Sequence, residues 1–329
     1  MRIVEISITW KGVLLMSEIV RHDGQKVNLR DYSKKDKVWD QHKAKSDIVA
    51  KLYERFGDSP RDEKRAKRIR DCAGFLRFGL DSIGKLHLVE IHLCKNYKSC
   101  MVCQWRRSIM LKAKFNANIP DILAEYPTAR FISLTLTVKN PLLNDLRKTI
   151  SEMNLAFKRM MKLDAFKDVI GYVRNVEVTK PEDDERYSHP HFHVLLAVKS
   201  SYFKGSHYIT ENEYRKFWRD CLRVDYLPDI HVRAIPKDES LDKTVKELLK
   251  YSVKESDIDV KSSWFLKYVE QVHRLKFIST SGIFKNVVKD TEPQTDDELL
   301  KFSDEPGEEA QEILNFMWNR SAKRYQRTK

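Results

Sequence analysis

Three histidines alternate in the run His189-Pro190-His191-Phe192-His193. With ten histidines in 329 residues, chance gives about 0.3 His-x-His pairs but only about 0.01 alternating triples. Side chains alternate between faces in an extended chain, so His191 and His193 share one face while Phe192, Val194 and Leu196 take the other. Two imidazoles one strand step apart can chelate a divalent ion. Glu177 lies on the preceding extended run, on the face of Val173, Asn175 and Thr179, and hairpin pairing would bring it beside them as a third ligand. Such a set suits Mn2+ or Mg2+ with positions left for substrate oxygens. The alternative is a structural zinc site or hydrogen-bonded surface histidines. His189 is assigned only the shaping of the turn.

A second constellation is Glu247, Tyr251 and Lys254, whose spacing of four and then three places them on one helix face, opposite Val245 and Leu248. A phenolate can attack phosphorus and leave a phosphotyrosine ester that conserves the bond for rejoining. Lys254 can lower the phenol's pKa or bind phosphate, and Glu247 can activate water or a hydroxyl. The alternative is a salt-bridged exposed face.

Four of the five cysteines, Cys72, Cys94, Cys100 and Cys103, fall within 32 positions. In a chain without a secretory signal, clustered cysteines point to metal rather than disulfides. Structural Zn2+ is expected, with unliganded thiols as the alternative. The basic excess, 61 Lys and Arg against 48 Asp and Glu, favours a polyanionic partner such as nucleic acid. Arg106, Arg107 and Lys250 are the residues expected to hold DNA phosphates.

The elements that must position these groups follow from periodicity. Ile132, Leu134, Leu136 and Val138 alternate with polar residues, as in a strand with one buried face. Leu142, Leu146, Ile150, Met153, Phe157 and Met160 then recur at steps of three and four, predicting a long amphipathic helix. Tyr172 to Thr179 and His191 to Val198 read as an antiparallel hairpin. A helical or loop region from Glu211 to Tyr226, a strand from Ile230 to Ile235, a helix from Leu241 to Ser252 and another from Trp264 to Leu275 follow. The order predicts an α+β domain, an antiparallel sheet with helices on one face, plus a small Cys-rich zinc-binding unit. The boundaries expected are a polar basic arm over 1–70, the Cys-rich segment over 71–110, the main domain over 111–285 and a charged tail over 286–329. Interrupting charges in the first twenty residues argue against a signal peptide, no stretch is long and apolar enough to span a bilayer, and the chain is placed in the cytoplasm.

Phe131 to Asn140, His189 to Leu196 and Glu247 to Asp257, in this order, resemble the three motifs of the HUH-endonuclease superfamily. The match is nearest to the rolling-circle plasmid replication proteins that carry a glutamate and a tyrosine four residues apart. Cys94, Cys100, Cys103 and Trp105-Arg106-Arg107 resemble the cysteine-rich segment preceding the first motif there, with Cys72 as a fourth cysteine. The resemblance covers about residues 70 to 290. It implies that His191 and His193 bind the catalytic metal, that Tyr251 attacks the nick site, and that Glu247 activates water at termination. It further implies a plasmid origin, single-stranded at the nick, as substrate. No G-x4-G-K-[ST] phosphate loop is present, so a host helicase must unwind and a polymerase extend the DNA. A homodimer is left open. A non-catalytic zinc-containing repressor, or a transposase or relaxase of the same superfamily, are the rival readings.

Overall fold

A computed structural model describes residues 27–250, 255–288, 295–300 and 310–328. Helices α1 (Leu29–Tyr32), α2 (Lys37–Phe56) and α3 (Pro60–Asp71) precede strands β1 (Phe75–Leu80) and β2 (Leu86–Ile91) and helix α4 (Met101–Glu125). Strand β3 (Arg130–Thr137), helix α5 (Leu146–Met160), strands β4 (Val169–Thr179) and β5 (His189–Val198), helix α6 (Glu211–Leu222) and strand β6 (Ile230–Ile235) follow. The chain continues through α7 (Asp242–Leu248), α8 (Trp264–Gln271), β7 (Ser279–Gly282), α9 (Asp296–Leu300), β8 (Glu312–Asn319) and β9 (Arg324–Thr328).

The fold is α+β, built on two antiparallel sheets. The larger has strand order β6-β3-β5-β4-β7. Alternation in β3 sends Ile132, Leu134 and Leu136 into the core. The apolar stripe predicted along α5 is buried through Leu146, Ile150, Met153, Phe157 and Met160, whereas Leu142 precedes the helix and is exposed. Phe157 meets Phe192 of β5 edge-on at 6.2 Å, and Trp218 of α6 lies 6.3 Å from the same ring. The Trp218 indole donates to the Thr137 carbonyl at 2.8 Å. Helices α5 and α6 thus form the layer expected on one face. Because Phe192 points into that layer, pleating turns its neighbours His191 and His193 to the opposite face, which α4 and α7 border. Thr210 and Glu213 form the capping box that starts α6, with the Glu213 N–H donating to the Thr210 hydroxyl at 3.3 Å.

Strand β7 can lie against β4 because the paired residues at their crossing are Gly171 and Gly282. A Cβ on Gly282, whose φ is +57°, would come within 1.9 Å of the Ile170 carbonyl oxygen. Only glycine meets both demands.

The second sheet, of order β2-β1-β8-β9, corrects the expected boundaries. The described part of the segment expected as a polar arm holds α1 and the two packed helices α2 and α3, with Trp39, Val49, Leu52, Tyr53 and Ile69 buried. The described end of the segment expected as a charged tail supplies β8 and β9. Residues Phe75 to Leu80 pair with Met317 to Glu312, and Trp318 donates to Asp47 Oδ2 of α2 at 2.7 Å. These segments read as polar because their apolar anchors are sparse locally and find partners in other segments, β1 pairing with β8 across more than 200 residues. No helix among the described residues is long and apolar enough to cross a membrane.

Candidate metal centre and its surroundings

The β4–β5 register sets Glu177 opposite His191, Asn175 opposite His193 and Thr179 opposite His189. Directly paired residues share a face, so the expected ligand set is brought together. Glu177 Oε2 lies 2.7 Å from His193 Nε2 and 3.3 Å from His191 Nε2. The two rings are 4.8 Å apart and nearly perpendicular. The outer nitrogens are engaged from behind. His191 Nδ1 donates to the His189 carbonyl at 3.3 Å, and His193 Nδ1 lies 3.5 Å from the Thr135 hydroxyl. A carbonyl can only accept, so Nδ1 carries a proton, and Nε2 is the ring nitrogen directed at Glu177. This is the outer-shell arrangement that orients ligating histidines.

Glu177 is almost fully buried, at 1% exposure. Burial pushes its pKa up, but hydrogen bonds from His191 and His193 and the nearby Lys250 charge outweigh it, holding the carboxyl well below the usual range. It stays ionised, the form a metal ligand needs. The donor chemistry, two imidazole nitrogens and one carboxylate oxygen within 4.8 Å of one another, fits a divalent ion.

Of the second expected constellation, only Glu247 lies among the described residues, and Lys250 links it to Glu177. Helix α7 ends at Leu248, with Glu247 in its last turn and exposed. Lys250, just beyond, reaches back to bridge two carboxylates, with Nζ 3.0 Å from Glu177 Oε2 and 2.9 Å from Glu247 Oε2. Burial would lower the Lys250 pKa, but the hydrogen bond to Glu247 and the charge of Glu177 raise it. Tyr251 and Lys254 lie outside the described residues.

The chain on either side is anchored to β4. Asn175 donates its amide to the Leu248 carbonyl at 2.8 Å, and the Lys180 N–H donates to Asp257 Oδ2 at 3.1 Å. Sequence reasoning gave Asn175, Thr135, Lys180 and Asp257 no role. Strand alternation does place Asn175 on the Glu177 face, but nothing local marks the helix end it binds.

Cys72, Cys94, Cys100 and Cys103 converge in the core between α2, α3 and α4. Sγ separations of 3.6 Å link Cys72 to Cys103, Cys94 to Cys103 and Cys100 to Cys72. Four thiolates at 2.3 Å around a tetrahedral ion would sit about 3.8 Å apart, so the cluster has the dimensions of a closed structural site. Burial alone would raise the Cys100 pKa, but donation from Cys103, Cys72 and Cys94 lowers it well below the usual value. The Ser46 hydroxyl, 3.5 Å from Cys100 Sγ, also accepts from the Val102 N–H at 3.2 Å.

The expected phosphate contacts of Arg106 and Arg107 require correction. Both are buried, at 3% and 8% exposure. Arg106 packs over Trp39 and Trp105, at 5.2 and 5.4 Å, and donates to the Leu299 carbonyl at 2.9 Å. Arg107 sits 5.9 Å from the Tyr97 ring centroid and lines a narrow recess with Asn175 and Lys250. The local sequence shows a basic helix, but the α2 and α9 surfaces that cover it are remote in sequence. Lys250 alone of the three is partly exposed.

These features define an α+β protein with a two-histidine, one-carboxylate centre on a central strand pair and a separate four-cysteine cluster. The family model described as replication protein matches residues 85–326, and the chain belongs to that family, the plasmid Rep proteins. It is 34% identical over 260 residues to a Rep protein of Streptococcus pneumoniae serotype 2 (strain D39 / NCTC 7466), covering 78% of this chain and 80% of that one. A Rep protein of Bacillus amyloliquefaciens is 30% identical over 325 residues, covering 88% and 94%, and one of Lactiplantibacillus plantarum is 35% identical over 241 residues, covering 69% and 75%. No solved structure matches.

Proposed function

We propose that the protein initiates plasmid rolling-circle replication in the cytoplasm by nicking one origin strand, with Tyr251 as nucleophile and a 5′-phosphotyrosine intermediate. The observation that carries this reading is Lys250. It touches the centre formed by Glu177, His191 and His193 and directly precedes Tyr251 in the chain. The residue that touches the centre is thus the sequence neighbour of the proposed nucleophile.

Glu177, His191 and His193 would hold Mn2+ or Mg2+, and the nitrogen-rich set favours Mn2+ because Mg2+ keeps to oxygen ligands. When bound, such an ion supplies Lewis-acid polarisation of the scissile phosphate. Tyr251 Oη forms the new bond to phosphorus while the bond to the 3′ oxygen breaks. The phenol's proton passes through solvent to the departing 3′-hydroxyl, which a host polymerase extends behind a host helicase. Lys250 and Lys254 place positive charge at the phosphate. At termination Glu247 takes a proton from water, whose oxygen bonds to phosphorus while the bond to Tyr251 Oη breaks; the DNA keeps a 5′-phosphate and the departing phenolate recovers the proton from Glu247. The four cysteines would hold structural Zn2+.

The test mixes protein, Mn2+ and the supercoiled replicon that encodes it. Nicked circles with protein on the 5′ end are expected from wild type and none from Tyr251→Phe. Equal nicking by the variant would remove Tyr251 as nucleophile. Binding without nicking by folded, metal-loaded wild type would favour a repressor.

A further inference from the structure

The third histidine has no place in the metal centre. His189 Nδ1 lies 2.7 Å from the Asn140 side-chain oxygen. An amide oxygen can only accept, so His189 Nδ1 donates to it. The same contact fixes the amide plane of Asn140 and leaves its NH2 as the donating end. These two side chains border a polar cleft of about 470 Å3, with Thr179, Lys180, Ser256 and Asp257 on its other walls. That volume is within the range of small-molecule sites.

The cleft joins all three segments that carry the chemistry. Asn140 follows β3, His189 opens β5 and pairs with Thr179 of β4, and Asp257 accepts from the Lys180 N–H at 3.1 Å. The His189 ring is 5.2 Å from that of His191, a ligand of the centre. One strand step, about 7 Å, thus separates the cleft from the place where the scissile phosphate is read to sit. Pro181 adds an apolar wall, while the Asn140 amide, held by His189, offers a fixed donor. Unpaired bases are recognised by that combination, an apolar face beside directed hydrogen bonds.

We propose that this cleft holds one unpaired nucleotide flanking the scissile phosphate and that Asn140, oriented by His189, reads its base. The proposal rests on the nicking reading above and adds the origin of nick-site sequence preference. It differs from a turn-shaping role, which would affect every base alike.

The experiment first maps the nick with wild-type protein. It then measures, by fluorescence anisotropy on the full-length Tyr251→Phe protein with Mn2+, binding of single-stranded oligonucleotides carrying each base at the positions either side of the nick. A spread of about tenfold or more is expected at one flanking position, the scale of a directed base contact. Asn140→Ala added to that protein should compress the spread below about threefold there and leave Mn2+ affinity unchanged. Asn140→Asp, which keeps the His189 contact but replaces the donor with an acceptor, should change the preferred base. An unchanged spread in both variants, or an equal loss for all four bases, overturns the proposal. Absence of nicking by wild type overturns the nicking reading and this inference with it.

Discussion

The amide of Asn175 donates to the Leu248 carbonyl at 2.8 Å, tying the strand that carries Glu177 to the end of the helix that carries Glu247. Asn175 is only 2% exposed, so the bond is shielded from water. It fixes where the chain leaves α7 relative to the candidate metal centre. Asn175→Ala should cost about 1–2 kcal/mol of stability through an orphaned carbonyl. It should slow nicking by tenfold or more while Mn2+ affinity stays within about twofold. Urea midpoints, single-turnover nicking and metal titration separate these effects. Nicking that falls only in proportion to folded protein would count against a positioning role.

Glu177 gives a prediction with a definite sign. Its pKa is held well below the usual carboxylate value because the imidazoles and Lys250 outweigh the effect of burial. A depressed folded-state pKa contributes stability that is present above the unfolded-state value, near 4.3, and is lost as pH falls toward the lower folded value. Wild type should therefore exceed Glu177→Gln in stability at pH 7, and the gap should narrow below about pH 5. Denaturant midpoints at pH 7, 5 and 4 check this, and a gap independent of pH would contradict it.

The convergence of Glu177, His191 and His193 was legible because these residues are local in sequence or one hairpin apart. Alternation in His189 to Leu196 assigns the face, and a single register then brings Glu177 to His191. Strand β3, helix α5 and the hairpin likewise carry periodic apolar residues that local reasoning can read. The remote pairing in the second sheet was not legible, because β1 meets β8 more than 200 residues away. Its short strands carry little pattern until paired. The burial of Arg106 has the same cause, since Trp39 and Leu299, which enclose it, come from distant segments. The expected helix through Tyr251 lies partly outside the described residues, and α7 closes at Leu248.

Metal removal should separate the two clusters. The four cysteines are buried among α2, α3 and α4, so stripping zinc would leave several desolvated thiols at the centre of that packing. With zinc removed, or in Cys103→Ser, a loss of several kcal/mol should lower Tm by about 10 °C or more. Removing Mn2+ should abolish nicking and move Tm far less, since Glu177 already has His191, His193 and Lys250 as partners. Zinc near one equivalent in freshly reduced protein is expected, and its absence with an undisturbed fold would refute the assignment.

Arg106 and Lys250 should respond in opposite ways. Arg106 is enclosed by Trp39, Trp105 and the Leu299 carbonyl, so Arg106→Ala should destabilise the fold by about 2–3 kcal/mol through lost packing and an unsatisfied carbonyl. Its folded fraction should bind single-stranded DNA with an unchanged salt dependence. Lys250 is partly exposed beside the centre, so Lys250→Met should cost little stability. It should lower the slope of log affinity against log salt by about 0.7, the loss of one phosphate contact on a single strand. Anisotropy titrations from 50 to 200 mM salt, paired with urea denaturation, give both quantities. A reduced slope for Arg106→Ala with unchanged stability would restore Arg106 as a phosphate contact and require α9 to move away from α4 when DNA binds.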